Sequence, residues 1–266
     1  MINRSVCVIL DQIYSSPVIS HVPDLVHLPI LRATEPFMTI QAIVFDAYGT
    51  LFDVYSMSTL AEKLYPGKGN ALSAMWRDKQ LEYTKLRTMC SMYKPFWEVT
   101  QDALVFSCRK LGLELDVDAR AALMGQYAKL PAFPENIGVL EQLKAAGLKT
   151  AILSNGNPEM LNAAVAVNGM APSFNHILSV DAVKKYKTAP EAYQLGPDVF
   201  GLSARHLLFV SSNAWDVCGA TWFGYTTFWV NRSGGPFEEL GVTPHGSGPD
   251  MNALLEFVRA RRAEAP

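Results

Sequence analysis

Concentrated positive charge is the first thing this sequence lacks. Lys and Arg total 23 against 25 Asp and Glu, a formal net charge of −2, and no basic tract breaks that balance. A nucleic-acid partner needs clustered cations to displace counterions from phosphates, so that class is set aside. Close cysteine pairs are also missing. The four cysteines, Cys7, Cys90, Cys108 and Cys218, are scattered, which supports neither a disulfide framework nor a zinc site. A reducing cytoplasm is the compartment that fits. No apolar run is long enough to cross a bilayer, so no membrane partner is expected. The start of the chain has Arg4 followed by only "VCVIL" before Asp11 and Gln12, too short for the apolar core of a secretory signal. Prolines then break any period through "SSPVISHVPDLVHLPILRATEP". Residues 1–37 read as a loosely held, non-native or disordered extension, with Met38 the expected natural start.

What is present suits a large buried core: 49% of residues are hydrophobic and 18% charged. From Ile40 onward strand and helix patterns alternate. Short apolar runs recur at "IQAIVFD", "KTAILS", "HILSV", "HLLFVSS" and "YTTFWV". Between the later ones, "PENIGVLEQLKAAG" reads as a helix stopped by Gly147. "NPEMLNAAVAVNG" reads as another, with Asn157 as N-cap, Pro158 in the first turn and Gly169 at the end. Continuous apolar strands joined by helical crossovers predict an α/β, doubly wound (Rossmann-like) parallel sheet covered on both faces. Residues 57–130 show helical periodicity and no strand, as in "ALSAMWRDKQLEYTKLRTM" and "PFWEVTQDALVFSCRKLG". The expected organisation is a core of residues 38–56 and 131–266, with a helical cap domain of residues 57–130 inserted after the first strand.

In a parallel sheet, ligands bind at the carboxyl ends of the strands. Reading those ends in order gives Asp46, then Ser154 with Asn155, then Lys187, then Ser211-Ser212-Asn213 with Asp216. A carboxylate, a cation and small hydrogen-bonding side chains converging on one crevice point to an active site. Taken singly, each has a plainer reading: Asp46 as a turn residue, Lys187 as a solvated charge, Cys218 as a small buried apolar group. The glycine-rich "NRSGGPF" reads as a turn rather than an anion cradle.

Four motifs then stand out together: "FDAYGTLFD", "LSNG", the "YK" of Tyr186-Lys187, and "FVSSNAWD". They resemble those of the haloacid dehalogenase superfamily, and more narrowly the L-2-haloacid dehalogenase family. The likeness continues through "WRDKQLEYTKLR" and "FGYTTFWVNRSGGPFEELG" and covers roughly residues 38–241. Superfamily phosphatases carry a second aspartate two residues after the nucleophile; here that position is Tyr48. Magnesium favours a carboxylate-rich oxygen shell, so no metal and no cofactor are expected. A halide departs as an anion and needs no general acid.

The resemblance implies an (S)-2-haloacid dehalogenase, in which Asp46 attacks C2 of a small-molecule 2-haloacid and water hydrolyses the resulting ester. It gives catalytic roles to Asp46, Thr50, Arg77, Ser154, Lys187, Ser211, Asn213 and Asp216. Asp216 and Lys187 both stand as acceptors of the water's proton. It gives substrate-binding roles to Tyr48, Arg77, Leu81, Phe96, Ser154, Asn155, Lys187, Tyr193 and Trp215, with Arg77 and Asn155 receiving the halide. A homodimer is implied by the family's habit of pairing through the cap. Two departures are visible: Thr188 where the family has proline, which predicts a freer lysine loop, and Lys85 where it has an aromatic residue. The rival readings are a magnesium-dependent phosphatase of the same superfamily and a non-catalytic binding protein on this fold.

Overall fold

A computed structural model describes residues 40–263. The expectations for residues 1–37, for Met38 and for Cys7 lie outside that range. All five apolar runs form strands: β1 (Ala42–Phe45), β2 (Lys149–Ser154), β3 (His176–Ser179), β4 (Leu207–Ser211) and β5 (Thr226–Val230). A sixth, β6 (Gly246–Gly248), has no counterpart among those runs, because Gly-Ser-Gly carries no β-branched or aromatic side chain. Space selects it instead. A Cβ at Gly246 would lie 2.6 Å from the Phe257 ring, and one at Gly248 2.3 Å from Ala253 Cβ. Glycine lets this edge strand pass beneath the last helix.

The sheet is parallel throughout, in the order β3-β2-β1-β4-β5-β6. Its central strand β1 is fully buried, as an unbroken apolar run in a covered sheet should be. The direction of winding reverses between β1 and β4, which is where such sheets open a crevice. Phe45 pairs with Ile152 on one side and Val210 on the other, so Asp46 emerges beside the ends of both neighbours.

Five helices lie between β1 and β2, the first four being α1 (Met57–Leu64), α2 (Gly69–Met89), α3 (Phe96–Leu111) and α4 (Val117–Tyr127). Helix α2 packs along α3, and α1 packs on α2 and α4. The remaining helices are α5 (Asn136–Ala145), α6 (Pro158–Val167), α7 (Pro190–Phe200), α8 (Ala214–Phe223) and α9 (Met251–Ala263). Helix α7 touches α8, and α9 touches α5, the two groupings that right-handed crossovers place on opposite faces. Gly147 and Gly169 follow α5 and α6 with φ of +79° and +66°, the left-handed turns that end helices. Asn157 holds the N-cap position of α6, yet its side chain makes no cap bond. Its Oδ1 instead accepts from the Trp97 amide at 3.2 Å, tying α6 to the start of α3. Among the described residues no helix is long and apolar enough to cross a membrane.

One close contact beneath the sheet gives a test of this packing. Gly196 lies inside α7, and a Cβ there would fall 2.2 Å from the Tyr225 hydroxyl oxygen. That hydroxyl donates to the Tyr193 carbonyl at 2.7 Å. Gly→Ala in a helix ordinarily gains about 1 kcal/mol. Gly196→Ala is expected to lose about 1–3 kcal/mol instead, through overpacking, in urea unfolding; a gain would mean that the neighbours move aside at no cost.

Candidate active site

A charged ammonium sits between two carboxylates at the carboxyl edge of the sheet. Lys187 Nζ donates to Asp46 Oδ1 at 3.1 Å and to Asp216 Oδ2 at 2.9 Å. All three side chains are buried, with exposures of 1%, 9% and 0% respectively. Burial favours the neutral amine, but the charges of Asp216 and Asp46 outweigh it and hold Lys187 above its ordinary range. For Asp216 burial dominates and pushes the carboxyl up to about 6, against the pull of Lys187. Tyr193 donates to Asp216 Oδ1 at 2.7 Å. Burial, with Asp216 adding to it, raises the Tyr193 phenol well above its usual value, so it serves as a neutral donor.

The other oxygen of Asp46 faces a different set. Asp46 Oδ2 accepts from Thr50 Oγ1 at 2.9 Å, from Asn213 Nδ2 at 2.9 Å and, at a longer 3.4 Å, from Ser211 Oγ. The turn after β1 brings Thr50 back over Asp46: Leu51 and Phe52 amides both donate to the Ala47 carbonyl, at 2.9 and 3.0 Å. Gly49 makes the turn with φ +95°, where a Cβ would also stand 3.3 Å from Ser212 Oγ. Thr50 Oγ1 in turn accepts from the Ser212 amide at 2.8 Å, and Ser212 Oγ donates to the Gly49 carbonyl at 2.6 Å. The ends of β1 and β4 are thereby stitched together around one carboxylate oxygen.

Arg77 reaches this edge from α2. Its NH2 donates to the Tyr48 carbonyl and to Asn213 Oδ1, both at 3.2 Å, and its NH1 to Gln80 Oε1 at 2.8 Å. Gln80 is itself held by Thr100 and Tyr127: its Nε2 donates to Thr100 Oγ1 at 2.6 Å and its Oε1 accepts from Tyr127 at 3.1 Å. The Tyr48 ring is buried against Tyr127 and Phe96, with centroids 5.6 and 5.8 Å away. Outside Arg77 a cleft of ≈ 560 Å³ opens, lined by Leu81, Ala214 and Trp215 among others. Lys85, one turn beyond Leu81, stands with Nζ 5.3 Å from the Trp215 ring, a cation–π contact.

Of the residues singled out in the sequence, Asp46, Thr50, Arg77, Lys187, Tyr193, Ser211, Asn213 and Asp216 form one connected network. Ser154 is buried at the end of β2, where its Oγ accepts from the Gly156 amide at 3.1 Å. Asn155 Oδ1 accepts from the Lys187 amide at 3.0 Å. Tyr193, expected among the substrate-binding residues, is fully buried and donates to Asp216, the carboxylate that pairs with Lys187. The lysine loop, expected to be freer without a proline, is tied on both sides of Lys187. The Tyr186 amide donates to Thr88 Oγ1 at 3.0 Å, its hydroxyl donates to the Lys94 carbonyl, and the Ala189 amide closes on the Tyr186 carbonyl at 3.0 Å. Sequence reasoning missed Gln80, Thr100 and Tyr127. The available signal was a polar residue on the buried face of α2, where Trp76, Gln80 and Thr84 follow at helical spacing.

A strand-tip aspartate facing a lysine and a second aspartate, on a sheet of this order, is the arrangement of haloacid dehalogenase-like hydrolases, and that family's model matches residues 40–224. The chain is 46% identical over 226 residues to an (S)-2-haloacid dehalogenase of Pseudomonas sp. (strain YL), covering 85% of this chain and 97% of the relative. Among solved structures, the L-2-haloacid dehalogenase RSc1362 superposes with a TM-score of 0.82 at 58% identity, covering 83% of this chain and 99% of the other. The L-2-haloacid dehalogenase of Xanthobacter autotrophicus with chloropropionic acid covalently bound superposes with a TM-score of 0.77 at 39% identity, again over 83% and 99%. The chain belongs to the L-2-haloacid dehalogenase family of these hydrolases.

Removing the ammonium tests the electrostatics. Lys187→Met leaves Asp46 and Asp216 buried and facing each other, and is expected to cost about 3–5 kcal/mol at neutral pH. Without the lysine's opposing pull, buried Asp216 holds its proton more tightly than in the unfolded chain. The variant's stability is therefore greatest in acid and lost as pH rises. Denaturant unfolding at pH 5 and pH 7.5 should show a smaller penalty at the lower pH; an equal penalty at both would mean that packing, not charge, is what the lysine supplies.

Proposed function

We propose that this chain hydrolyses short L-2-haloalkanoic acids to D-2-hydroxy acids through an ester on Asp46. One observation carries the reading: the buried Asp46 carboxylate has Lys187 on one oxygen and Thr50, Asn213 and Ser211 on the other. Relatives 41–46% identical to the chain are named (S)-2-haloacid dehalogenases. The Xanthobacter autotrophicus protein was solved with chloropropionic acid covalently bound, the kind of adduct a nucleophilic carboxylate forms. Tyr48 in place of a second acid fits a leaving group that needs no proton. No metal or cofactor enters the reading, because the Lys187 ammonium already bridges the two carboxylates.

In the first step Asp46 Oδ1, which carries the single lysine bond, attacks C2 from the face opposite the halogen. The C–halogen bond breaks, the halide takes the electron pair, and the carbon inverts. Arg77 and the amide NH2 of Asn155 receive the halide, stabilising charge as it develops. Ser154 and Lys187 face the substrate carboxylate. Tyr48, Leu81, Phe96 and Trp215 bound the alkyl group, and helices α1–α4 work as a cap.

In the second step water adds to the ester carbonyl carbon. Negative charge then gathers on Oδ2, where Thr50, Asn213 and Ser211 already point their donors. Collapse of that adduct breaks the bond from the carboxyl carbon to Oδ1; the departing alkoxide takes the proton held by the base and leaves as the hydroxy acid, and Asp46, carrying the water's oxygen, ionises again. The water's proton has two candidate acceptors, and this reading takes Asp216. Burial pushes its carboxyl up to about 6, while the charges of Asp216 and Asp46 hold the Lys187 ammonium above its ordinary range and make it the poorer acceptor. Tyr193 keeps Asp216 oriented for that task.

The reading includes a cytoplasmic location, in keeping with the unpaired Cys90, Cys108 and Cys218. It also includes a homodimer. Leu86, Met89 and Met92 expose apolar surface at the end of α2 and beyond.

Chloride release from L- and D-2-chloropropionate with EDTA present tests the activity. The L form alone should react, EDTA should have no effect, and Asp46→Asn should lower the rate by about three orders of magnitude or more. Magnesium-dependent phosphate release from a generic ester, without halide release, would favour the phosphatase reading. The acceptor has its own test. Turnover should fall as pH drops through about 6, where Asp216 takes up a proton. A profile flat to about pH 4.5 would exclude Asp216 as the base.

A further inference from the structure

Arg232 follows β5 in the "NRSGGPF" turn and touches none of the groups assigned to the reaction's substrate. Its guanidinium nevertheless joins separate pieces of chain. NH1 meets Glu135 Oε1 at 2.6 Å, with both side chains largely covered. The guanidinium carbon lies 3.7 Å over the Phe133 ring. NH2 donates to the Thr50 carbonyl at 3.3 Å and approaches Asn136 Oδ1 at 3.5 Å. Asn136 adds its own donor to the same turn, with Nδ2 at 2.9 Å from the Leu51 carbonyl. Residues 50 and 51 belong to the turn that follows Asp46, whereas residues 133–136 carry the chain back from the inserted helices. The two segments also bond directly, Phe133 amide to Leu51 carbonyl at 3.2 Å and Asp53 amide to Pro131 carbonyl at 2.8 Å.

We infer that Arg232 is a positioning residue for the nucleophile, acting through Thr50; this rests on the dehalogenase reading above. Thr50 Oγ1 donates to Asp46 Oδ2 at 2.9 Å and accepts from the Ser212 amide at 2.8 Å, with Ser212 Oγ also 3.2 Å away. Both bonds hold only while the backbone at residue 50 keeps one orientation. Its amide bond to the Ala47 carbonyl is long, at 3.3 Å, and its carbonyl is held from outside the turn, by Arg232 at 3.3 Å and Asn136 at 3.4 Å. A guanidinium suits this task because one rigid plane pairs with a carboxylate, stacks on a ring and reaches a third group together. An ammonium at the same place satisfies fewer of these. Arg232 thus links the geometry of Asp46 to both chain segments that cross between the sheet and α1–α4.

A double-mutant cycle separates this role from general support of the fold. Arg232→Met, Thr50→Val and the double variant are compared by chloride release from L-2-chloropropionate, with thermal unfolding measured alongside. Arg232→Met is expected to lower kcat by about tenfold or more while KM stays within about twofold, since the substrate's own contacts are intact. In the Thr50→Val background the same replacement should cost less than about twofold, because the hydroxyl it positions is gone. Arg232→Lys should fall between wild type and Arg232→Met, and it replaces Met in the cycle if the Met variant does not fold. Equal losses in both backgrounds, tracking lowered unfolding temperature, overturn the inference while leaving the activity in place. A folded wild-type protein that releases no halide overturns the dehalogenase reading itself.

Discussion

Two carboxylates and one ammonium buried at the edge of a parallel sheet set the terms for everything around them. Removing such groups from water costs several kcal/mol each, and the cost is met only where every charged atom finds a partner. The fold answers with a short list of donors: Lys187 bridges Asp46 and Asp216, Tyr193 takes the far oxygen of Asp216, and Thr50, Asn213 and Ser211 share Oδ2 of Asp46. Each donor needs its own support. Tyr193 is backed by Tyr225 through its carbonyl, and Thr50 by Ser212, Asn136 and Arg232. Much of the polar structure inside this core traces back to a single requirement, that a net negative cluster be kept dry.

That requirement also explains which parts were legible in the sequence. Asp46, Lys187, Asn213 and Asp216 could be read because each interrupts or follows an apolar run, and a polar residue at a buried strand end asks for a reason. The five apolar strands were legible for the same cause, since both faces of the sheet are covered. Strand β6 was not, because two glycines give no signal when their only merit is that nothing larger fits beneath Phe257 and Ala253. The supports were less legible still. Glu135 and Arg232 are separated by most of the core sequence, and nothing local marks them as partners. Asn157 shows the reverse error: its position is that of a helix cap, but tertiary contact with Trp97 claims the side chain.

Tyr48 shows how one replacement redirects a site. At this position an acid would add a third negative charge beside Asp46 and call for a cation to match it. A tyrosine instead contributes only its carbonyl, which accepts from Arg77 and Asn213, while its ring completes an aromatic wall with Phe96 and Tyr127. The charge balance is then met by the covalently fixed Lys187, and the surroundings become more apolar. Both changes favour displacement at carbon by a partly desolvated carboxylate over attack on a heavily charged phosphoryl group.

The unequal treatment of the two Asp46 oxygens follows from the same geometry and suits the proposed two-step reaction at one residue. A nucleophilic oxygen should carry few hydrogen bonds, because each one must be weakened as the new bond forms. An oxygen that will become an oxyanion should carry several, already aimed, because reorganising them later raises the barrier. A carboxylate bound identically at both ends would serve one step and hinder the other. Here Oδ1 has one charged donor and Oδ2 has three neutral ones, two of them at 2.9 Å. The lysine's bond to Oδ1 also costs little at the moment of attack, since Asp216 holds the same ammonium at 2.9 Å and can take more of it as Asp46 gives up its charge. A second buried carboxylate thus lets the first be both well anchored and free to react.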